Sequence, residues 1–369
     1  MPLRPQTTPL VGSLPATVPF VGPETQERAR GKPFAARLGA NENGFGPSPK
    51  AVAAMAAAAP EMWKYCDPEN HDLRHALAAH AGVAPANIMV GEGIDGLLGL
   101  VVRQYVEAGQ PVVTSLGAYP TFNYHVAGFG GRLVTVPYAE DREDPQALLD
   151  AVAREGAGLV YFANPDNPMA SWHDAGAVQG FIEALPATTM LVLDEAYGEF
   201  APDGTLPAID TSRPNVLRMR TFSKAYGLAG LRCGYCIGEA EAITSFDKVR
   251  NHFGVTRMAQ AACLAALQDG DHLAKTITNV DAARHRIGAI AADSGLTALP
   301  SATNFVTIDC GRDGAFALSV MNGLVERGVF ARKPMAPGLD RCIRISCGPE
   351  KELSLFAEAL AETLATVPA

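Results

Sequence analysis

The sequence lacks what would commit it to a membrane, a nucleic acid or a disulfide framework. Its longest apolar runs, such as residues 97–102, fall far short of the roughly 20 residues of a membrane span. The opening MPLRPQTTPLVGSLP has no continuous apolar segment of the secretory kind. Lys and Arg total 30 against 39 Asp and Glu, a formal net charge of −9, and no basic cluster stands out. A nucleic-acid or anionic-membrane surface is therefore not expected, and any bound anion must be held by local residues. The 7 cysteines, at 66, 233, 236, 263, 310, 342 and 347, are odd in number and form no framework. They suit free thiols in a reducing compartment, so a cytoplasmic protein is expected. Cys233 and Cys236 have redox-motif spacing but lie in an apolar run that reads as a strand. The 8 histidines show no metal-ligand spacing: His71 and His75 are four apart without HExxH, which reads as a solvated helix face, and no metal is expected.

What is present suits a large buried core. The chain has 369 residues, 48% hydrophobic and 19% charged, enough for one large domain and a second. Residues 1–35, rich in Pro, Thr and Gly, read as an irregular arm. Helices are expected over 51–59 and 72–81 on propensity and pattern. Short apolar, β-branched segments at 87–90, 111–115, 132–137, 158–163, 189–193, 215–220 and 233–237 then alternate with helical patterns. That order predicts an α/β domain, a mostly parallel seven-stranded sheet with helices on both faces, over 36–285. Residues 286–369 read as a smaller α+β unit, which part of the N-terminal segment would join: strands at 302–309 and 342–347, a helix at 315–327 and a closing helix from 351. Ligands of parallel sheets bind beyond the carboxyl ends of the strands, where Asp194 sits.

The stretch TFSKAYGLAGLRCG sets Lys224 among small and hydroxylated residues, with Arg232 eight positions on. Burial or a nearby cation lowers a lysine's pKa, as Schiff-base chemistry requires. On its own such a lysine is more often an exposed residue after a strand. Thr221, Ser223 and Arg232 offer two hydroxyls and a guanidinium that would suit a phosphate dianion. A second phosphate grip is VGEGIDGLL, a glycine turn between strand and helix whose N–H groups at Gly93, Ile94 and Asp95 could point at an anion. GEGIDG also matches GxGxxG, but the next strand runs into SLGAY and lacks the acid that would take a ribose, which argues against a dinucleotide dehydrogenase.

The segments ANENGFGPSP, FANPDNP, LDEAYGEF, the Lys224 stretch and RISCG occur in an order and spacing that resemble fold-type I pyridoxal-phosphate aminotransferases, and among them the histidinol-phosphate aminotransferase family. The resemblance runs from about residue 17 through nearly the whole chain. It implies pyridoxal 5′-phosphate as cofactor, an amino donor and a 2-oxo acid as substrates, a homodimer and a role in amino-acid biosynthesis. By the same resemblance Lys224 joins the cofactor and then moves the substrate's proton, while Asp194 pairs with the pyridinium nitrogen. Tyr197 and Asn167 bond the cofactor's phenolic oxygen, and Tyr119 stacks on its ring. Tyr65 reaches the phosphate in the neighbouring subunit. Arg332 and Arg344 hold the substrate's anionic end, and Asn43 belongs to the substrate site.

Two segments depart from the family pattern. PDNPMA stands where PNNPTG is usual, and GEGIDG where GNGSDE is usual. Asn167 and Asp95 are kept, Ile94 loses a hydroxyl, and Asp166 adds a negative charge that a dianionic substrate does not favour. The resemblance implies transfer from histidinol phosphate to 2-oxoglutarate. An aromatic or other amino-acid donor is the alternative, since an arginine that takes phosphate also takes carboxylate. A decarboxylase suits the paired arginines less well, and a non-catalytic cofactor-binding homologue would be coloured without turning over.

Overall fold

The structure, a computed structural model, describes residues 4–16 and 20–367. Within the expected irregular arm it places two short helices instead, Pro9–Ser13 and Pro23–Arg30. Each begins with proline, whose missing N–H is no loss in a first turn, and the Thr8 hydroxyl caps the first by accepting from the Val11 amide. The segment then enters strand β1 (Ala36–Arg37).

Seven strands follow: β2 (Ile88–Gly91), β3 (Pro111–Ser115), β4 (Arg132–Val136), β5 (Leu159–Ala163), β6 (Met190–Asp194), β7 (Val216–Thr221) and β8 (Gly234–Ile237). They form one sheet in the order β2-β8-β7-β6-β5-β3-β4. All pairings are parallel except those of β8, which runs against both β2 and β7. The mostly parallel seven-stranded sheet is thus as expected. Its central strands read as unbroken apolar runs because both faces are covered: every residue of β5 and of β6 is buried. One face packs Leu159, Tyr161 and Val192 with Leu97, Val101 and Phe122. The other packs Val160, Phe162 and Leu193 with Leu148, Val152 and Phe181. Removing such a buried ring, as in Phe162→Ala, costs about 3–5 kcal/mol through lost transfer energy and the cavity left behind.

The C-terminal strands are β9 (Thr297–Ala298), β10 (Phe305–Asp309), β11 (Val329–Phe330) and β12 (Cys342–Ser346). β10 is flanked antiparallel by β12 and β9, while β11 pairs in parallel with β1. The strand expected from residue 302 begins at Phe305, since Ala302 and Asn304 bond outward to Ala170 and to the 41–42 backbone. The helix Gly270–Asp293 runs unbroken through residue 285, where the two units were expected to divide. The 7 cysteines are free and buried, Cys236 within β8 and Cys233 just before it. Among the described residues no helix is long and apolar enough to cross a membrane, and no cluster of side chains could hold a metal ion.

Candidate active site

β3, β5, β6 and β7 end at one edge of the sheet, at Ser115, Ala163, Asp194 and Thr221, and β8 starts there at Gly234. A cavity of about 400 Å³ opens beyond that edge. Its wall includes Ile94, Asp95, Tyr119, Asn167, Asp194, Tyr197, Thr221, Ser223, Lys224, Arg232 and Arg344, all expected at the site. Residues far apart in sequence, from Phe20 to Arg344, meet there.

Lys224 is half-buried and its Nζ donates to the Asn41 carbonyl at 3.2 Å, with no carboxylate in ion-pair contact among the described residues. Burial, with the positive charge of Arg344 and then Arg232 adding to it against Asp95, lowers its pKa to about 8. Asp194 is 6% exposed, and burial raises its pKa to about 6. Two donors oppose that rise: the Tyr161 hydroxyl at 2.6 Å and the Ala196 amide at 2.9 Å. Tyr197 accepts from Asn41 Nδ2 at 3.0 Å, and its ring centroid lies 5.5 Å from Lys224 Nζ. Burial pushes the Tyr197 phenol up, with Arg344 opposing.

One end of the cavity has the donors a phosphate needs. The helix Gly93–Tyr105 starts there with no side-chain cap, leaving its first N–H groups free. Gly93 takes φ +72, and a Cβ on it would lie 2.6 Å from Arg232 Nη2, so only glycine lets the guanidinium approach. Arg232 Nη1 donates to Ser223 Oγ at 3.4 Å and Nη2 meets Asp95 Oδ2 at 3.4 Å, while Thr221 Oγ1 donates to Ser223 Oγ at 3.0 Å. Asp95 also accepts from the Tyr119 hydroxyl at 2.7 Å. Burial and the Asp95 charge hold that phenol well above its ordinary range. Arg232 itself adopts φ +52, a left-handed conformation rare outside glycine.

At the other end Arg344 Nη1 donates to Asn167 Oδ1, while its buried Nε has no partner among the described residues. Burial lowers its pKa against the pull of Tyr197 and Asp166. Arg332 stands beside it across an antiparallel bridge but does not line the cavity. Its Nη2 donates to the Val21 carbonyl at 2.8 Å and its guanidinium lies 3.8 Å from the Phe20 ring centroid, so the N-terminal segment covers it. Asn43 also stays outside: its Nδ2 donates to the Ala225 carbonyl and its Oδ1 accepts from the Phe45 amide. From the same motif Asn41 lines the cavity instead. Tyr65 is 79% exposed and packs on Phe253, away from this chain's own cavity. The sequence reading missed Asn41, Tyr161 and Phe20; position in a matched motif was the available signal for the first, while Tyr161 lies in the middle of β5.

The model of the family described as aminotransferase class I and II matches residues 36–360. A histidinol-phosphate aminotransferase of Anaeromyxobacter sp. (strain Fw109-5) is 38% identical over 99% of this chain and 100% of its own. The crystal structure of a histidinol-phosphate aminotransferase from Sinorhizobium meliloti, in complex with pyridoxal-5′-phosphate, is 57% identical, covers 100% of both chains and superposes with a TM-score of 0.97. An aspartate aminotransferase from Thermus thermophilus, 20% identical over 98% of this chain and 100% of its own, shares the fold with a TM-score of 0.82. With the family model matched over most of its length and these relatives end to end, the chain belongs to the class I and II aminotransferases.

Proposed function

We propose that this enzyme is a pyridoxal 5′-phosphate-dependent aminotransferase of the histidinol-phosphate type, passing an amino group from histidinol phosphate to 2-oxoglutarate. The observation that supports it most is the cavity's polarity. A free lysine amine and a buried aspartate lie between an uncapped helix start with Arg232 at one end and Arg344 with an unpartnered Nε at the other. The residues fit the cofactor: the N–H groups of Gly93, Ile94 and Asp95, the hydroxyls of Thr221 and Ser223, and Arg232 would hold its phosphate. When bound, the cofactor supplies the aldehyde that takes the amino group and a ring that accepts the electrons of the broken Cα–H bond.

The chain's own residues then have separable tasks. Lys224, with a pKa near 8, is unprotonated in a useful fraction at neutral pH, so Nζ can attack as a nucleophile and afterwards carry the Cα proton. Asp194, fixed by Tyr161 and Ala196, would present its carboxylate to the pyridine nitrogen and keep a proton there. Tyr119 would stack on the cofactor's ring, and Tyr197 with Asn167 would bind its phenolic oxygen. Arg344 fixes the substrate's anionic end, which orients the Cα–H bond. Arg332 reinforces that end by charge rather than contact, and Asn41 takes the place in the substrate site first given to Asn43.

The enzyme works as a cytoplasmic homodimer. Trp63 and Tyr65, each 79% exposed, are apolar surface close in sequence to exposed Met62, and Tyr65 packs on exposed Phe253; a second copy would cover these side chains and bring Tyr65 to the partner's phosphate site. The small unit, from within the helix Gly270–Asp293 to the C-terminus together with β1, carries Arg332 and Arg344 to the large one.

The test is a visible spectrum with added pyridoxal phosphate, then single-turnover mixing with L-histidinol phosphate and, separately, L-phenylalanine. A cofactor band that Lys224→Ala abolishes, and that histidinol phosphate bleaches much faster than phenylalanine does, is the expected result. No band at all overturns the reaction class, and faster bleaching by phenylalanine overturns the donor.

A further inference from the structure

Behind the Pro165 to Asn167 wall of the cavity lie two carboxyl groups that none of these tasks uses. Glu143 reaches there from the loop after β4 and Asp166 from the loop after β5; they are 1% and 2% exposed. Glu143 Oε1 accepts from the Ala163 amide at 3.2 Å and Oε2 from Ser115 Oγ at 2.8 Å. Asp166 Oδ1 accepts from the Tyr138 hydroxyl at 2.8 Å and Oδ2 from the Met169 amide at 2.9 Å. Every donor is neutral, and the two carboxyl groups are within hydrogen-bonding reach of each other. Neither forms an ion pair among the described residues. The cation whose charge acts on Asp166 is Arg344, held by Asn167 next in sequence.

Two carboxylates in contact at a buried site, with no cation between them, cannot both ionise near neutral pH. We propose that Glu143 and Asp166 share one proton and act together, through Asn167, as the positioning unit of Arg344, setting a single buried negative charge behind the anion-binding end of the cavity. The proposal rests on Arg344 holding the substrate's anionic end.

The loop that carries Asn167 depends on this pair. Asp166 ties the Met169 amide, while Pro168 and Ala170 lend their carbonyls to Thr307 Oγ1 at 2.9 Å and the Ala302 amide at 2.9 Å. When base removes the shared proton, the pair's charge goes from −1 to −2. The carboxylates then repel, the loop loses its tie, and the added charge competes with the substrate for Arg344. Burial and the neighbouring Asp166 charge raise Glu143 well above the carboxylate range, which puts this loss above the pH at which an ordinary carboxyl group ionises. The other titratable or charged groups facing the pair are Tyr138, Tyr161, Tyr197, Arg344 and His173, whose ring meets the Glu143 carbonyl at 2.8 Å; Arg142 and Asp144 flank Glu143 in sequence. Burial keeps the tyrosines protonated and pushes His173 down, towards neutrality, so the carboxyl pair carries the change.

Glu143→Gln and Asp166→Asn each imitate the singly protonated pair, an amide donor facing a carboxylate. In the holoenzyme the infrared carbonyl band of a protonated carboxyl should be present and should vanish in both variants. The dissociation constant of maleate, followed through the cofactor's visible spectrum, should rise by up to about tenfold per pH unit above the pH at which the pair loses its proton. Both amide variants should lose that limb; the difference from the parent cancels other titrations, Lys224's included. Asp166→Ala should weaken maleate binding several-fold, and Asp166→Asn should restore it. A band that persists in both amide variants overturns the shared proton, and a limb that persists in both overturns its link to Arg344. If the band behaves as expected but maleate responds to neither Asp166→Ala nor Arg344→Gln, the anion-binding role of Arg344 fails and the positioning role falls with it.

Discussion

Replacing Tyr161 by phenylalanine isolates the support under Asp194. The ring keeps its stacking on Phe122, 4.7 Å between centroids, and only the hydroxyl at 2.6 Å from Asp194 is removed. A hydrogen bond to a buried charged acceptor is worth about 1.5–3 kcal/mol, so its loss should raise the Asp194 pKa from about 6 by roughly 1–2 units. An acid whose folded-state pKa exceeds its unfolded value holds its proton more tightly when folded. Its burial therefore destabilises the fold as pH rises from about 4 towards the folded-state value, and by a constant amount above it. In the cofactor-free parent that window closes near pH 6; in Tyr161→Phe it extends to about 7–8. At pH 5 the ionic contribution to the difference between the proteins is near zero, and at pH 8 it approaches about 2 kcal/mol against the variant. Urea denaturation of both cofactor-free proteins at the two pH values measures this directly. A stability difference that is the same at pH 5 and pH 8 refutes the assignment of Tyr161 as the donor that holds Asp194 ionised.

Gly93→Ala places a Cβ 2.6 Å from Arg232 Nη2 in a backbone conformation of φ +72, so it should weaken pyridoxal phosphate binding about tenfold, read by titration of the visible band. Because Lys224 has its pKa lowered to about 8 and only its neutral form attacks, the rate of cofactor attachment should rise about tenfold between pH 7 and pH 9; a flat profile counts against the lowered pKa. Tyr65→Phe should speed cofactor loss on dilution without changing the sedimentation of the dimer, and unchanged retention removes the contact with the partner's site.

Much of the site was legible because its chemistry sits where a parallel sheet must put it. Asp194 breaks an apolar run at the carboxyl end of β6, and Lys224 follows β7 in a stretch with no acidic residue to pair with it. What was not legible depends on side-chain direction. Asn41 and Asn43 are two apart in one motif, and it is the left-handed backbone at Asn41, φ +54, that marks the turn between them; Asn41 then faces Tyr197 while Asn43 turns to Ala225. Arg332 and Arg344 face each other across one antiparallel bridge, and they differ because the N-terminal segment, some 311 positions away, brings Val21 onto the first. Proline and threonine made residues 1–35 read as irregular, though a proline at a helix start and a threonine before it are also a capping signal. Glu143 lies in the acidic stretch AEDRED, and nothing local distinguishes the one carboxylate that turns inward.

The reversed direction of β8 makes the Lys224 segment a loop of fixed circumference. The chain leaves β7 at Thr221 and re-enters the sheet at Gly234, its partner in register, and Phe222 N still donates to the Cys233 carbonyl at 3.2 Å. Lys224 and Arg232 therefore hang from a closed ring rather than from a tether. A single inserted residue must either bulge out of the ring or slip β8 by one, and a slip would turn Tyr235 and Cys236 to opposite faces of a sheet buried on both. Sequence drift in this segment is open to substitution and closed to changes of length, so homologues carrying an insertion between Thr221 and Gly234 should have lost the spacing that brings the amine and the guanidinium to one cofactor.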